Sequence, residues 1–399
     1  MIARVIGGIL LIVGSAIGGG ILALPIATSE WGFINSSLLL FFCWLLMTAS
    51  AFLILEVTLW LPKNTNIISM AKVTLGPLGQ IVAWITYLLL LYSLLSAYIA
   101  GGSDFFQNLF ELAHIHASHW VVSVLFTLVL GSIVYLGIHA VDYANRGLMT
   151  VKFIAFFLLI ALIFQHVSLD KLSGGRVSYI TNGVTVAITS FGYATIIPSL
   201  RNYFNDDVKK LRTVIWIGSL IPLVCYIVWD MTVMGVIPRD GSNGLVSMLY
   251  SGRSTSDFVN ELSLMLNRES ITSLAHLFTS ICLLTSFIGV ALCLVDFLAD
   301  GFQVEKKGKT NFLICCAALI PPLLIVLVDP GIFIAALGYA GIYCVVLLLI
   351  LPALMVWRGR YHKKIATGYQ VFGGKSLLFI MLIFSALIIF QSLASSFIK

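Results

Sequence analysis

Four ionisable side chains fall inside otherwise apolar runs: Glu56 in "FLILEVTLW", Lys152 in "TVKFIAFFLLI", Asp230 in "IVWDMTVMG" and Asp296 in "LCLVDFLAD". Charges in such surroundings are expensive, so each needs a partner or a function, such as ion pairing or proton carriage. Two further stretches offer backbone chemistry. "GSAIGGGILALP", Gly14 to Pro25, places four glycines in seven residues, and "TSFGYATIIPSL", Thr189 to Leu200, places Gly192 ahead of Pro198. Glycine and proline are the weakest helix formers, so both runs predict interrupted helices. Bare backbone is allowed within a bilayer only around an internal cavity. A break near Ser15–Gly19 would free amides at the start of a half-helix, which favour a carboxylate. A break near Ser190–Tyr193, on a helix running the other way, would free carbonyls that suit an ammonium. Together they would grip a zwitterion. The alternative use of such glycines is close helix packing.

These residues must be held by membrane-crossing elements. The chain has 399 residues, 60% hydrophobic and 10% charged, against about 25% charged for ordinary soluble domains. It therefore reads as an all-α polytopic membrane protein. About eleven spans are expected, near 5–27, 36–60, 79–102, 120–139, 148–167, 180–200, 213–237, 271–299, 311–328, 331–356 and 376–396. The first apolar run is taken as a retained span rather than a leader. With the N-terminus cytoplasmic, 17 of the 23 Lys and Arg residues lie at or near inner ends; the remaining six are Lys171, Arg176, Arg239, Arg253, Arg268 and Lys399. The bias predicts N-inside and C-outside. The net charge of +6 thus follows from loop placement and does not point to nucleic acid. The two breaks open successive five-span blocks, and an odd block length inverts the second. Paired interruptions of this kind point to a transporter site between inverted repeats. The expected units are 1–170 (spans 1–5), 171–358 (spans 6–10) and 359–399 (an inner loop and span 11). The outer stretch 238–270 is expected to form one or two short helices.

Four motifs, "GSAIGGGILALP", "TSFGYATIIPS", "GVALCLVDFLAD" (Gly289–Asp300) and "ALGYAGIY" (Ala336–Tyr343), resemble the hydroxy and aromatic amino acid permeases of the amino acid–polyamine–organocation superfamily, and within them the bacterial tyrosine carriers. The resemblance covers nearly the whole chain. It implies a leucine-transporter-like fold: eleven spans, a five-plus-five inverted repeat, and broken helices 1 and 6. It also implies proton symport of an aromatic amino acid across the bacterial inner membrane, with tyrosine favoured. The sequence departs from the family at Ala194, where members usually carry a histidine after the Gly-aromatic pair. Lys152 is similar to a span 5 lysine that, in some superfamily members, occupies a sodium position against the span 1 break. That likeness implies a proton-exchanging group or a fixed cation there; the plain alternative is a lysine reaching back to the inner surface. Glu56 and Asp296 are each about four residues from an inner span end, a depth shared with Lys152, so the three could pair; the plain alternative is a charged cap at the interface or an ordinary structural pair, and an inner-gate role is expected before a substrate role. Asp230, in the outer half of span 7, has no family match.

The expected substrate site takes Ser15, Ala16, Ile17, Gly18, Gly19 and Gly20 from the first break and Ser190, Phe191, Gly192 and Tyr193 from the second. Tyr92, Ser286, Phe287 and Tyr339 complete an aromatic and hydroxyl wall for a phenol or indole ring. No cofactor or metal is expected, and the coupling ion is expected to be a proton, with sodium coupling or a broader neutral amino acid range as alternatives. The cluster His114, His116 and His119 lacks a completing ligand and is expected to form a short interfacial helix. The seven cysteines all fall in apolar runs and read as buried hydrophobes. A membrane enzyme would need convergent nucleophiles or ligands, a channel would need a repeated pore motif, and ATP drive would need a phosphate loop; none is visible. The expected partners are the substrate and the lipid bilayer, and the sequence indicates no oligomeric state.

Overall fold

The computed structural model describes residues 2–63, 65–112, 114, 116–175, 182–251, 254–266 and 269–398. Arg176, Arg253, Arg268 and Lys399, four of the basic residues placed on the outer side, lie outside the described residues. The regular secondary structure of the described residues is all helical, without strands.

The first span is two helices, α1 (Ile2–Ala16) and α2 (Gly20–Ala27), bent by 52° at the gap between them. After one 3-10 turn, Ser29–Trp31, α3 runs Gly32–Leu59. The short α4 (Ile67–Leu75) is capped by Asn66, whose side chain accepts from the Ser69 amide at 2.8 Å. It ends at Gly76, whose φ of +89° only glycine adopts readily; Pro77 then opens α5 (Pro77–Leu112). Next come α6 (His119–Tyr135), α7 (Ile138–Phe164) and the single turn α8 (Leu169–Leu172). The second interrupted span comprises α9 (Asn182–Ser190), a 3-10 segment Gly192–Ile196 and α10 (Ile197–Tyr203). It is followed by α11 (Val208–Met234). Two short helices, α12 (Leu245–Ser251) and α13 (Ser254–Leu266), occupy the stretch before α14 (Glu269–Gly301). Then follow α15 (Gly308–Val328), α16 (Phe333–Cys344), a π-helical turn Val345–Ile350 that runs into α17 (Leu351–Tyr361), and α18 (Gly374–Ile398).

Among the described residues nine helices are long and apolar enough to cross a membrane, ten with the bent pair; α6 is a shorter apolar helix of 17 residues. The protein is a multi-pass membrane protein. The interrupted spans pack on each other, α2 against α9, with α3, α11 and α16 around them and α14 reaching the first break through Ser286. The histidine segment departs from expectation. α5 ends at Leu112, residues 116–118 are not helical, and helix resumes at His119.

The basic connections gather at one end of the bundle. Lys63 pairs with Asp206 at 3.2 Å. Arg358 donates to the Leu75 carbonyl and Lys363 to that of Val73. The Arg212 guanidinium lies over the Tyr369 ring, and Tyr203 and Phe204 abut Gly7 and Gly8 of α1.

Candidate functional site

At the first break Ile17, Gly18 and Gly19 leave the regular ladder. Close approach dictates glycine here. A methyl group on Gly19 would lie 2.6 Å from the Tyr98 ring, and one on Gly20 2.7 Å from Ser190 Oγ. The freed groups find side-chain partners. The Gly19 amide donates to Ser286 Oγ at 2.8 Å. Lys152 Nζ donates to the Ile17 carbonyl at 2.7 Å and lies 3.4 Å from Thr285 Oγ1. A cation thus meets the negative end of the α1 dipole. Lys152 is 1% exposed, so it does not reach back to the surface.

The second break is milder, a tightened 3-10 turn rather than an open gap. Its decisive contact comes from Tyr226 on α11. The Tyr226 hydroxyl lies 2.6 Å from the Ala16 carbonyl and 2.9 Å from that of Ser190. These are the last residues of α1 and α9. A phenol has one proton, so a single hydroxyl is shared between the two broken helices.

The structure brings together Ala16, Ile17, Gly18, Gly19, Gly20, Ser190 and Ser286, with Phe191 stacked edge-on to Tyr226 at 5.2 Å between centroids. Gly192 lies in the same turn, next to Cys344. Other expected residues point elsewhere. Ser15 is exposed and bonds back to the Leu11 carbonyl. Tyr92 donates to the Ala317 carbonyl on α15 at 2.7 Å. Tyr193 bonds Thr48 on α3 at 3.0 Å, Phe287 packs on Phe126 of α6, and Tyr339 is half exposed. Tyr98, one and two-thirds turns beyond Tyr92 on the same helix, is the span 3 tyrosine at the break; nothing in an unbroken apolar run distinguishes the two.

Glu56, Lys152 and Asp296 do not pair with one another; each carboxylate is in a separate ion pair, as the plain alternative has it. Glu56, fully buried, is held by Arg360 through two bonds of 2.6 and 2.5 Å and accepts the Val371 amide at 2.7 Å. Asp296 pairs with Lys306 at 2.5 Å, both side chains being more than 40% exposed. The partners differ in kind: Glu56 meets an arginine in the last turn of α17, and Asp296 meets the first basic residue of the loop that follows its own helix. A further cluster lies at the end of α10, where Arg201 is buried. It donates to the Thr58 carbonyl, to that of Leu61 at 2.9 Å, and to Asp206 at 2.6 Å. Sequence reasoning missed Arg201 because it treated it only as one more positive charge at a span end. Among the described residues no three metal-binding side chains converge.

A profile of the tryptophan/tyrosine permease family matches residues 1–392. Two tyrosine-specific transport systems of Haemophilus influenzae, systems 1 and 2, are each 32% identical, over 392 and 389 residues, covering 96% of this chain and 95% of theirs. A tryptophan-specific transport protein of the same organism is 31% identical over 397 residues, 96% of this chain and 94% of its own. Broken helices packed face to face, a polar cluster at the breaks and likeness along nearly the full length agree: the chain belongs to the tryptophan/tyrosine permease family of transport proteins.

Proposed function

We propose that the chain is a secondary active transporter that takes up an aromatic amino acid, tyrosine first, by proton symport with alternating access. One observation carries this reading: the ends of α1 and α9 share the Tyr226 hydroxyl, so the two sets of freed backbone groups form one site. In the proposed site the substrate carboxylate takes amides of Gly18–Gly20 at the start of α2, and the ammonium takes carbonyls at the end of α9. Phe191 and Tyr98 wall the ring. Lys152 acts as a fixed cation on the first break, in place of a coupling metal ion, and no cofactor takes part. Glu56 and Asp296 serve the inner end as structural anchors of loops rather than as partners of Lys152.

The architecture proposed is eleven spans, counting the bent pair as one and including α6, with repeats 1–170 and 171–358 followed by 359–399. The packing supports it. Number the spans in order and exchange each of the first five with the one five places later. The pair α7–α14 then becomes α16–α5, α1–α11 becomes α10–α3, and α5–α15 becomes α14–α6; each is in contact. The pairs α3–α11, α5–α14 and α6–α15 map onto themselves. Such self-mapping is what an internal two-fold between inverted repeats produces. The gathered basic end supports a cytoplasmic N-terminus in a bacterial inner membrane.

The test is uptake of radiolabelled tyrosine into proteoliposomes, with competition by all twenty amino acids. Saturable uptake driven by an inward proton gradient, competed best by tyrosine, phenylalanine and tryptophan, is expected. Collapse of uptake when choline replaces sodium at fixed pH would sink proton coupling, and best competition by a small neutral amino acid would sink the aromatic assignment.

A further inference from the structure

Asp230 stands apart from the site just described, yet it is fully buried on α11, one helical turn from Tyr226 and on the same face. Its Oδ2 lies 2.9 Å from Ser36 Oγ on α3. Ser36 Oγ lies 2.7 Å from Thr28 Oγ1, and Thr28 Oγ1 donates to the Leu24 carbonyl at 2.8 Å. Thr28 caps the end of α2. The other carboxyl oxygen, Oδ1, is buried without a hydrogen-bond partner among the described residues.

Counting protons decides what this chain of contacts is. Three links need three protons, and the two hydroxyls supply one each. The carbonyl of Leu24 supplies none. An ionised Asp230 also supplies none and would leave one short oxygen–oxygen contact without a proton. Every link is made only when Asp230 is a carboxylic acid: Oδ2–H donates to Ser36, Ser36 to Thr28, and Thr28 to the Leu24 carbonyl. The bare Oδ1 agrees, because an oxygen of a neutral acid tolerates burial without a counter-charge and that of a carboxylate does not.

The described charges around α11 leave Asp230 to itself. α2 carries no ionisable residue. Lys152 on α7 is committed to Ile17, Glu56 on α3 to Arg360, and Glu30 to Tyr250. Lys171 on α8 donates to the Val236 carbonyl. Arg4, His139, Tyr143, His166 and Asp170 are exposed, Cys43 is a buried thiol, and the side chains of Asp142 and Arg146 lie outside the described residues.

We propose that Asp230 is the residue that binds the coupling proton, an assignment that rests on the proton-symport reading. With the proton bound, the acid ties the end of α2 to α3 and α11 while Tyr226, a turn away, ties the two breaks. When the proton leaves to water, Ser36 turns to donate to the carboxylate, its contact with Thr28 loses its proton, and the end of α2 is released. Substrate-bound and proton-bound forms are thereby linked through one half-helix.

Wild type, Asp230→Asn and Ser36→Ala are compared in proteoliposomes by two assays: accumulation of tyrosine driven by a pH gradient, and exchange of labelled for unlabelled tyrosine with no gradient. Asparagine presents an N–H where the acid presents its O–H. Asp230→Asn is therefore expected to keep exchange within about threefold of wild type and to lose at least about tenfold in accumulation, the scale of a lost coupling free energy. Accumulation by Asp230→Asn at the wild-type level overturns the assignment, as does loss of exchange in protein that remains monodisperse. Should Asp230→Asn not fold, Ser36→Ala decides: a displaced pH profile of accumulation is expected, and an unchanged profile overturns the assignment. Failure of wild type itself to accumulate tyrosine on a pH gradient would instead sink the symport reading.

Discussion

A methyl group added at Gly19 would land 2.6 Å from Cε1 and 3.0 Å from Cδ1 of Tyr98, a buried ring. One added at Gly14 would meet only the end of the Met149 side chain. The two glycines look alike in sequence but not in surroundings. Gly19→Ala is expected to lower initial tyrosine uptake by about tenfold or more, since overpacking by one methyl costs about 1–3 kcal/mol. Gly14→Ala is expected to remain near wild type, because Met149 can move and alanine favours a helix by about 1 kcal/mol. Equal loss in both would mean that the glycines matter only as weak helix formers. Lys152→Ala removes the donor to the Ile17 carbonyl and leaves a buried carbonyl unpaired, at a cost of about 1–3 kcal/mol. A drop of about tenfold in uptake, with the pH profile kept, is expected for a fixed cation; a flattened pH profile would make Lys152 itself the proton carrier. The contact of Lys152 with the first break came only from family likeness, and the tie by Tyr226 was not legible at all. A tyrosine in an apolar helix carries no local signal of the two carbonyls it will meet.

Helix ends, not helix middles, carry the strongest polar contacts outside the breaks. Glu56 near the end of α3 and Arg360 near the end of α17 are both buried and joined by two hydrogen bonds, which also hold the segment before α18 through Val371. Arg360→Ala leaves Glu56 as an uncompensated buried charge and is expected to destabilise the protein by about 3–5 kcal/mol. Thermal unfolding in detergent checks this, with the double change Glu56→Met and Arg360→Met recovering most of the loss. A single variant as stable as wild type would show that water reaches Glu56. At the neighbouring loop the Arg201 guanidinium, and then the Lys63 ammonium, hold the Asp206 carboxyl below the usual carboxylate range. A lowered value in the fold stabilises above the unfolded value of about 3.9 and is lost as pH falls through the folded one. The stability gap between wild type and Asp206→Asn is therefore expected to stay constant through neutral pH and to narrow only below about pH 4. A gap that varies near neutrality would place part of the pH dependence of transport in this latch rather than at Asp230. Apolar run lengths and the Gly and Pro punctuation made most spans and both breaks readable. The π turn at Val345–Ile350 was not, because an uninterrupted run of Val, Leu and Ile carries no mark of a changed hydrogen-bond register.

Across the whole molecule, hydropathy located the spans, whereas side-chain direction escaped it. Tyr92, Phe287 and Tyr339 stand on spans near the breaks yet face α15, α6 and the exterior, because on a uniformly apolar helix no periodicity separates lumen from lipid. Charge asymmetry is the one global signal independent of that ambiguity. Contacts of Lys63, Arg201, Arg212, Arg358 and Lys363 join the connections 60–76, 201–212 and 358–371 at a single end. The stretch 238–251, with Arg239 paired to Asp240, belongs to the connection that follows α11 at its other end. If the basic end is cytoplasmic, a cysteine placed at exposed Lys364 in a background lacking the seven native thiols should react with a membrane-impermeant maleimide only in inverted vesicles. One placed at exposed Ser242 should react in intact spheroplasts. The reverse pattern would turn the protein over and put the amide-rich half-helix α2 toward the cytoplasm. Gradient-driven uptake would then have to begin from the side on which α1 and α10 lie, since α2 and α9 pack together on the opposite side of the breaks.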